Sequence, residues 1–176
     1  MPQQALIGKD LSRWADKIPS GASQAPISDA YLRFLVEELK PEIDRRYRTR
    51  PGRADTLMMG SSMGGLISLY ALIEYPRVFG GAACMSTHWP AADGAVIDYA
   101  EKALPRAGRH RLYLDHGTLG LDAQYEPYQR RMDEVLRAHG YTAGRDWVTR
   151  RFGGAGHDEA SWHARLDVPL RFLLGR

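Results

Sequence analysis

Apolar residues along this chain follow two alternating patterns. Short strand-length segments stand at 55–60 ("DTLMMG"), 79–86 ("FGGAACMS"), 110–115 ("HRLYLD") and 147–152 ("WVTRRF"), the second of them apolar and small throughout most of its length. Runs of this length, bounded by turn residues, predict strands, the first two of them buried. Between them lie segments with helical spacing. "MGGLISLYALIEY", 63–75, is apolar on nearly every face and predicts a buried helix that Pro76 ends. Tyr125, Tyr128, Met132, Val135, Leu136 and His139 share one helical face, with Gly140 as the residue that turns the chain out of the helix. Nearer the start, Ser28 reads as an N-cap with Asp29 in the first turn. Leu32, Leu35, Val36, Leu39 and Ile43 form the stripe of a helix that Pro41 bends or restarts. From Asp158 onward, Trp162, Leu166, Leu170 and Leu173 predict a last helix perturbed at Pro169. Residues 1–27 read as irregular, apart from a short helix over "LSRWADKI". Strands alternating with helices predict an α/β fold, a mostly parallel sheet flanked by helices, as one domain over 1–176.

In such sheets chemistry sits beyond the carboxyl ends of the strands, which directs attention to the positions after 60, 115 and 152. The first holds Ser62, within Gly60-Ser61-Ser62-Met63-Gly64. This is a G-x-S-x-G sequence at a strand-to-helix corner, where glycines let the two backbones pass close to an exposed hydroxyl. The following helix end directs partial positive charge at the site. The amide N–H of Met63 is the expected oxyanion donor. The second place offers two acids, Asp115 at the strand end and Asp122 farther along "YLDHGTLGLDAQY"; each has a rival role as a turn or helix cap. Asp122 is favoured as the acid that orients a histidine, with Asp115 in reserve. The third place holds His157 in a glycine-rich loop, as suits a general base; His163, on the following helix, is the rival. His88 and His116 follow strand ends and can line a pocket, whereas His110 and His139 read as structural. The chain order Ser62, Asp122, His157 is that of an α/β-hydrolase triad. Trp89, Tyr125 and Trp162 are candidate pocket walls, each with core packing or support as the favoured rival role.

Composition narrows the alternatives. Hydrophobic residues at 44% and charged residues at 26% describe a folded globular chain and exclude disorder. The net charge of +3 rests mainly on arginine, including Arg45, Arg46, Arg48, Arg50 and Arg53. Such a cluster can bind phosphate or nucleic acid, but no aromatic stacking set accompanies it. Cations at a solvated helix end are the favoured reading, so neither nucleic acid nor membrane is expected as a partner. No apolar run approaches the ~20 residues of a membrane span. Cys84 is the single cysteine, excludes an internal disulfide, and reads as a small core residue. His157 and His163 lie six apart and do not share a helix face as metal ligands would. No metal or cofactor is expected, and neither a P-loop nor a dinucleotide-binding glycine motif is present.

Three segments together resemble a known family. "GSSMGGLISLYALIEYPRVFGGAACMS" (60–86), "ELKPEIDRRYRT" (38–49) and "GGAGHDEASWHARLDVPLRFLLG" (153–175), with "DHGTLGLDAQYEPYQ", are similar to the esterase family of α/β-hydrolases that includes enterochelin-esterase-like and feruloyl-esterase-like enzymes. The resemblance implies an esterase with Ser62 as nucleophile and His157 as base, acting on a small-molecule ester without a cofactor. It favours Asp122 as the acid less firmly, because members differ in that loop. Members carry several strands ahead of the nucleophile strand, and 1–54 holds no convincing strand. The chain therefore reads as the C-terminal part of the fold. The second oxyanion donor, usually supplied by the absent part, is then missing. "TLMM" becomes an exposed sheet edge able to pair with another copy, giving a homo-oligomer. "MPQQALIGKD" lacks the features of a signal peptide; localisation stays open, cytoplasmic if Met1 is the true start.

Overall fold

The computed structural model describes residues 27–175. The expected irregular stretch before Ile27, with its short helix over "LSRWADKI", lies outside them. Four strands, β1 (Leu57–Ser61), β2 (Gly81–Met85), β3 (Arg111–His116) and β4 (Trp147–Arg151), form one sheet in the order β1-β2-β3-β4. All three pairings are parallel, so every carboxyl end opens on the same side. Helices make the crossovers: α3 (Met63–Glu74), α4 (Ala95–Ala103) and α5 (Glu126–Ala138). Ahead of the sheet stand α1 (Ser28–Arg33), a π-helical segment (Phe34–Leu39) and α2 (Lys40–Arg46). After it come α6 (Glu159–His163) and α7 (Asp167–Leu174). The fold is of the α/β-hydrolase type.

The two-residue period of the strands divides the core. Ala82 and Cys84 of β2 and Leu112 and Leu114 of β3 pack with Leu69, Leu72, Ile97, Met132 and Leu136 from α3, α4 and α5. Ala83, Met85 and Tyr113, which point the other way, pack with Leu173, Val168 and Phe172 of α7. Both faces are covered, which is why β2 is apolar without alternation and wholly buried. Burial pushes the Cys84 thiol well above its ordinary pKa, with the charge of Asp115 adding to the effect; it is an inert core residue, as expected. Among the described residues no helix is long and apolar enough to cross a membrane.

The structure corrects four expectations. Ser28 does not cap α1: it is the first helical residue, and Asp29 instead accepts a hydrogen bond from the Tyr70 hydroxyl of α3 at 2.6 Å. The stripe 32-35-36-39-43 is buried only at its start. Leu32, Leu35 and Val36 pack on α3, but the π-helical segment ahead of Pro41 shifts the phase and leaves Leu39 and Ile43 exposed. The last helix breaks at 164–166, not at Pro169. Proline is compatible with the first turn of a helix, where its missing N–H has no partner to lose, so α7 begins just before it. Its buried face is Pro169 and Leu173, with Leu166 and Leu170 left exposed. Finally, α4 forms over a segment for which no element was expected.

His110, at the start of β3, is buried and donates from Nε2 to the Pro76 carbonyl at 2.9 Å, while its Nδ1 has no partner. Burial pushes its pKa down, and the same holds for His88. Between the lowered folded value and the ordinary value near 6.5, the unfolded chain binds more protons. Their stabilising effect is complete above about pH 6.5 and is lost as the pH falls. Urea unfolding is expected to show stability falling below that pH, and His110→Gln should remove part of the slope.

Candidate active site

At the end of β1 the chain must turn into α3 within one residue, and that residue is Ser62. Its backbone lies at φ 55°, ψ −118°, a left-handed conformation that is costly for a residue with a side chain. The turn is pinned on both sides. The Ser62 amide donates to the Met85 carbonyl at 2.9 Å, and the Ser62 carbonyl accepts from the amides of Gly65 at 3.0 Å and His88 at 3.2 Å. The glycines around it have distinct reasons. A Cβ on Gly60 would lie 2.6 Å from the backbone of Gly64, and one on Gly65 would lie 2.4 Å from the Thr87 hydroxyl. A Cβ on Gly64 would meet nothing within 4 Å. The close strand–helix approach therefore needs Gly60 and Gly65, and Gly64 faces open space.

His157 reaches this corner from the loop after β4. Its Nε2 lies 2.8 Å from Ser62 Oγ and its Nδ1 lies 2.6 Å from Asp122 Oδ1. A carboxylate can only accept, so Nδ1 carries the proton and Nε2 accepts from the serine hydroxyl. The His157 ring is enclosed by Trp162 at 5.0 Å and Tyr125 at 5.6 Å between ring centres, both edge to face, leaving its side chain 14% exposed. The loop is set by its own chemistry. Asp158, next in sequence, caps α6 by accepting from the Ser161 amide at 2.8 Å. The amides of Thr118 and Leu119, on the acid-bearing loop, donate to the Ala155 carbonyl at 2.9 and 3.0 Å. The two loops are thus fastened to each other.

Asp122 is 1% exposed and sits in a short 3₁₀ turn, Gly120–Gln124, where its side chain caps nothing. Its Oδ2 accepts from the Ser86 hydroxyl and from the Gly117 amide, both at 2.5 Å. Gly117 can be nothing larger, since a Cβ there would lie 2.2 Å from the Ala155 carbonyl oxygen. Asp115, the reserve acid, is turned elsewhere. It pairs with Arg165 and accepts from the Tyr113 hydroxyl at 2.9 Å. His163 is exposed on α6.

The other expected residues divide. Met63 opens α3 and is 48% exposed, and its amide belongs to the first turn, where N–H groups have no acceptor within the helix. Trp162 flanks His157. Trp89 is not a pocket wall: it is wholly buried in the core and donates from Nε1 to Gln129 at 3.1 Å. Tyr125 is also fully buried and supports the site from beneath. Its hydroxyl lies 2.7 Å from His88 Nδ1 and 3.4 Å from His157 Nδ1. With His157 Nδ1 already protonated, Tyr125 donates to His88, whose own proton is then on Nε2. Burial first, and then the neighbouring His157, push the His88 pKa down. His116 is buried against the Gly117 carbonyl at 2.7 Å and lines no opening. Ser86, Gly117 and Arg165 were not expected at the site. Ser86 follows the buried strand β2, and the rule that singled out the other strand ends applies to it equally. Among the described residues no group of three or more His, Cys, Asp or Glu side chains is arranged to hold a metal ion.

A family model described as "Putative esterase" matches residues 8–173. The chain belongs to this esterase family. Among curated proteins, the ferri-bacillibactin esterase BesA of Bacillus subtilis (strain 168) is 38% identical over 64 residues, covering 35% of this chain and 22% of that protein. Among solved structures, the enterobactin esterase FES of Shigella flexneri superposes with a TM-score of 0.65 at 20% identity, covering 92% of this chain and 41% of the other. A ferulic acid esterase superposes with a TM-score of 0.63 at 19% identity, covering 81% and 60%. These two likenesses are of fold, and the chain spans less than two thirds of the length of each relative.

The different surroundings of the two motif glycines yield opposite expectations. Gly60→Ala should destabilise by at least about 2 kcal/mol, because backbone must move to admit the methyl group. Gly64→Ala, in the first turn of α3 with free space around it, should be neutral or stabilising by up to about 1 kcal/mol. Urea unfolding of the two variants checks this.

Proposed function

We propose that the chain is a serine hydrolase of carboxylic esters, with Ser62 as nucleophile, His157 as general base and acid, and Asp122 as the orienting carboxylate. The observation that carries the reading is that one imidazole bonds at once to Asp122 at 2.6 Å and to Ser62 at 2.8 Å. Ser62 Oγ attacks the ester carbonyl while its proton passes to His157 Nε2. The imidazolium so formed is stabilised by the buried Asp122 carboxylate through Nδ1–H. The oxyanion is met by the Met63 amide and the positive end of α3. Collapse breaks the bond to the alcohol, which leaves with the proton from Nε2. Water, deprotonated by the same nitrogen, then attacks the acyl-enzyme; the bond to Ser62 Oγ breaks, the acid leaves, and the proton on Nε2 returns to the Ser62 hydroxyl. No cofactor takes part.

The proposed substrate is a small-molecule ester. The relatives' names supply ferri-bacillibactin, enterobactin and ferulic acid esterases, which share ester chemistry but no single acyl group, so the proposal stops at the carboxylic ester. Trp162, beside His157 and partly exposed, is the proposed wall nearest the reacting atoms.

A second reading is an inactive scaffold that self-associates. It draws on β1, which among the described residues pairs only with β2 and carries Met59 at 40% exposure. Hydrolysis of p-nitrophenyl butyrate separates the two. The first reading predicts turnover that falls on the order of 1,000-fold or more in Ser62→Ala and in His157→Ala. An absence of turnover, with concentration-dependent dimers in analytical ultracentrifugation, supports the second.

A further inference from the structure

Arg165 is a charged side chain with only 3% exposure, and its guanidinium reaches four parts of the fold. Nε and Nη2 donate to the two oxygens of Asp115 in β3, at 3.2 and 3.1 Å. Nη2 also donates to Ser86 Oγ, just after β2, at 2.7 Å. Nη1 donates to the Ser161 carbonyl in α6 at 3.1 Å, and the group stacks over Phe152, after β4, at 4.9 Å. Asp115 takes a further bond from the Ser86 amide at 3.0 Å. The Asp115–Arg165 pair is therefore saturated and neutral as a unit, as a buried ion pair must be. Asp122 is left to carry the negative charge that faces His157.

The direction of the bonds matters more than their number. A guanidinium has donors and no acceptor. Ser86 Oγ must therefore accept from Arg165, and its single proton is committed to Asp122 Oδ2 at 2.5 Å. With Oδ2 also occupied by the Gly117 amide, Oδ1 is the oxygen presented to His157. Ser86 holds this post at φ 39°, in the left-handed region where a side chain is costly.

We propose that Ser86 and Arg165 are positioning residues for the triad: the guanidinium sets which way the Ser86 hydroxyl points, and the hydroxyl sets which oxygen of Asp122 meets His157. The functional meaning rests on the hydrolase reading, whereas the geometry is that of Asp122 and His157 alone. Two readouts on the full chain keep these apart. One is the strongly deshielded proton resonance of His157 Nδ1–H, recorded at low temperature; the other is p-nitrophenyl butyrate kinetics. Ser86→Gly removes the hydroxyl at a φ that glycine adopts without strain, and Ser86→Ala removes it with Cβ packing kept. In either variant, with thermal unfolding near that of the parent, the resonance is expected to shift or vanish. The kcat should fall about 10- to 100-fold with KM little changed. An unmoved resonance with unchanged kcat in a folded variant overturns the inference. A parent chain that shows the resonance and its loss in Ser86→Gly, yet hydrolyses nothing, overturns the hydrolase reading and leaves the positioning role standing.

Discussion

A carboxylate removed from water must have its oxygens bonded or it will not stay ionised, and the buried Asp122 imposes that condition on everything around it. Its Oδ2 is filled by a hydroxyl from the end of β2 and an amide from the end of β3, so Oδ1 is open only toward the histidine loop that follows β4. Three strand ends are thereby tied to one side chain. The parallel sheet is what makes this possible: with all four strands running the same way, their carboxyl ends converge, and residues 35 and 95 positions apart in sequence meet within hydrogen-bond distance.

The serine corner answers to a different constraint. A strand that becomes a helix within one residue forces that residue out of the ordinary backbone regions, and Ser62 is held there by bonds to β2 and to the His88 amide. Ser86, on the neighbouring strand end, is also left-handed. Two strained serines on adjacent strand ends, one facing the histidine and one facing the acid, fit the tendency of backbone strain to collect where geometry matters more than stability.

Much of this was legible in the residues. β2 and β3 came from apolar runs because strands covered on both faces admit little else, whereas β4 runs out into the exposed Arg150 and Arg151; α3 came from a segment apolar all round. The motif around Ser62, the glycine loop carrying His157 and the order of the three residues were readable because each lies at a strand end. What was not legible depended on contacts distant in sequence. Asp122 faces the histidine while Asp115 pairs with Arg165, fifty residues beyond it, and no local pattern links these partners. Trp89, a candidate pocket wall with a rival core role, belongs to the core, which closes over it. The stripe from Leu32 to Ile43 was misread because its period holds only until the helix widens ahead of Pro41. α4 carries Val96, Ile97, Ala100 and Ala103 at helical spacing, a pattern legible in the residues themselves.

Mass spectrometry of the chain after treatment with a fluorophosphonate tests the central claim most directly, because the reagent reacts with a serine only where a base activates it. The account predicts one adduct, on Ser62, that is absent in His157→Ala. A folded chain that acquires no adduct, or one whose Ser62 is labelled equally well without His157, would contradict it.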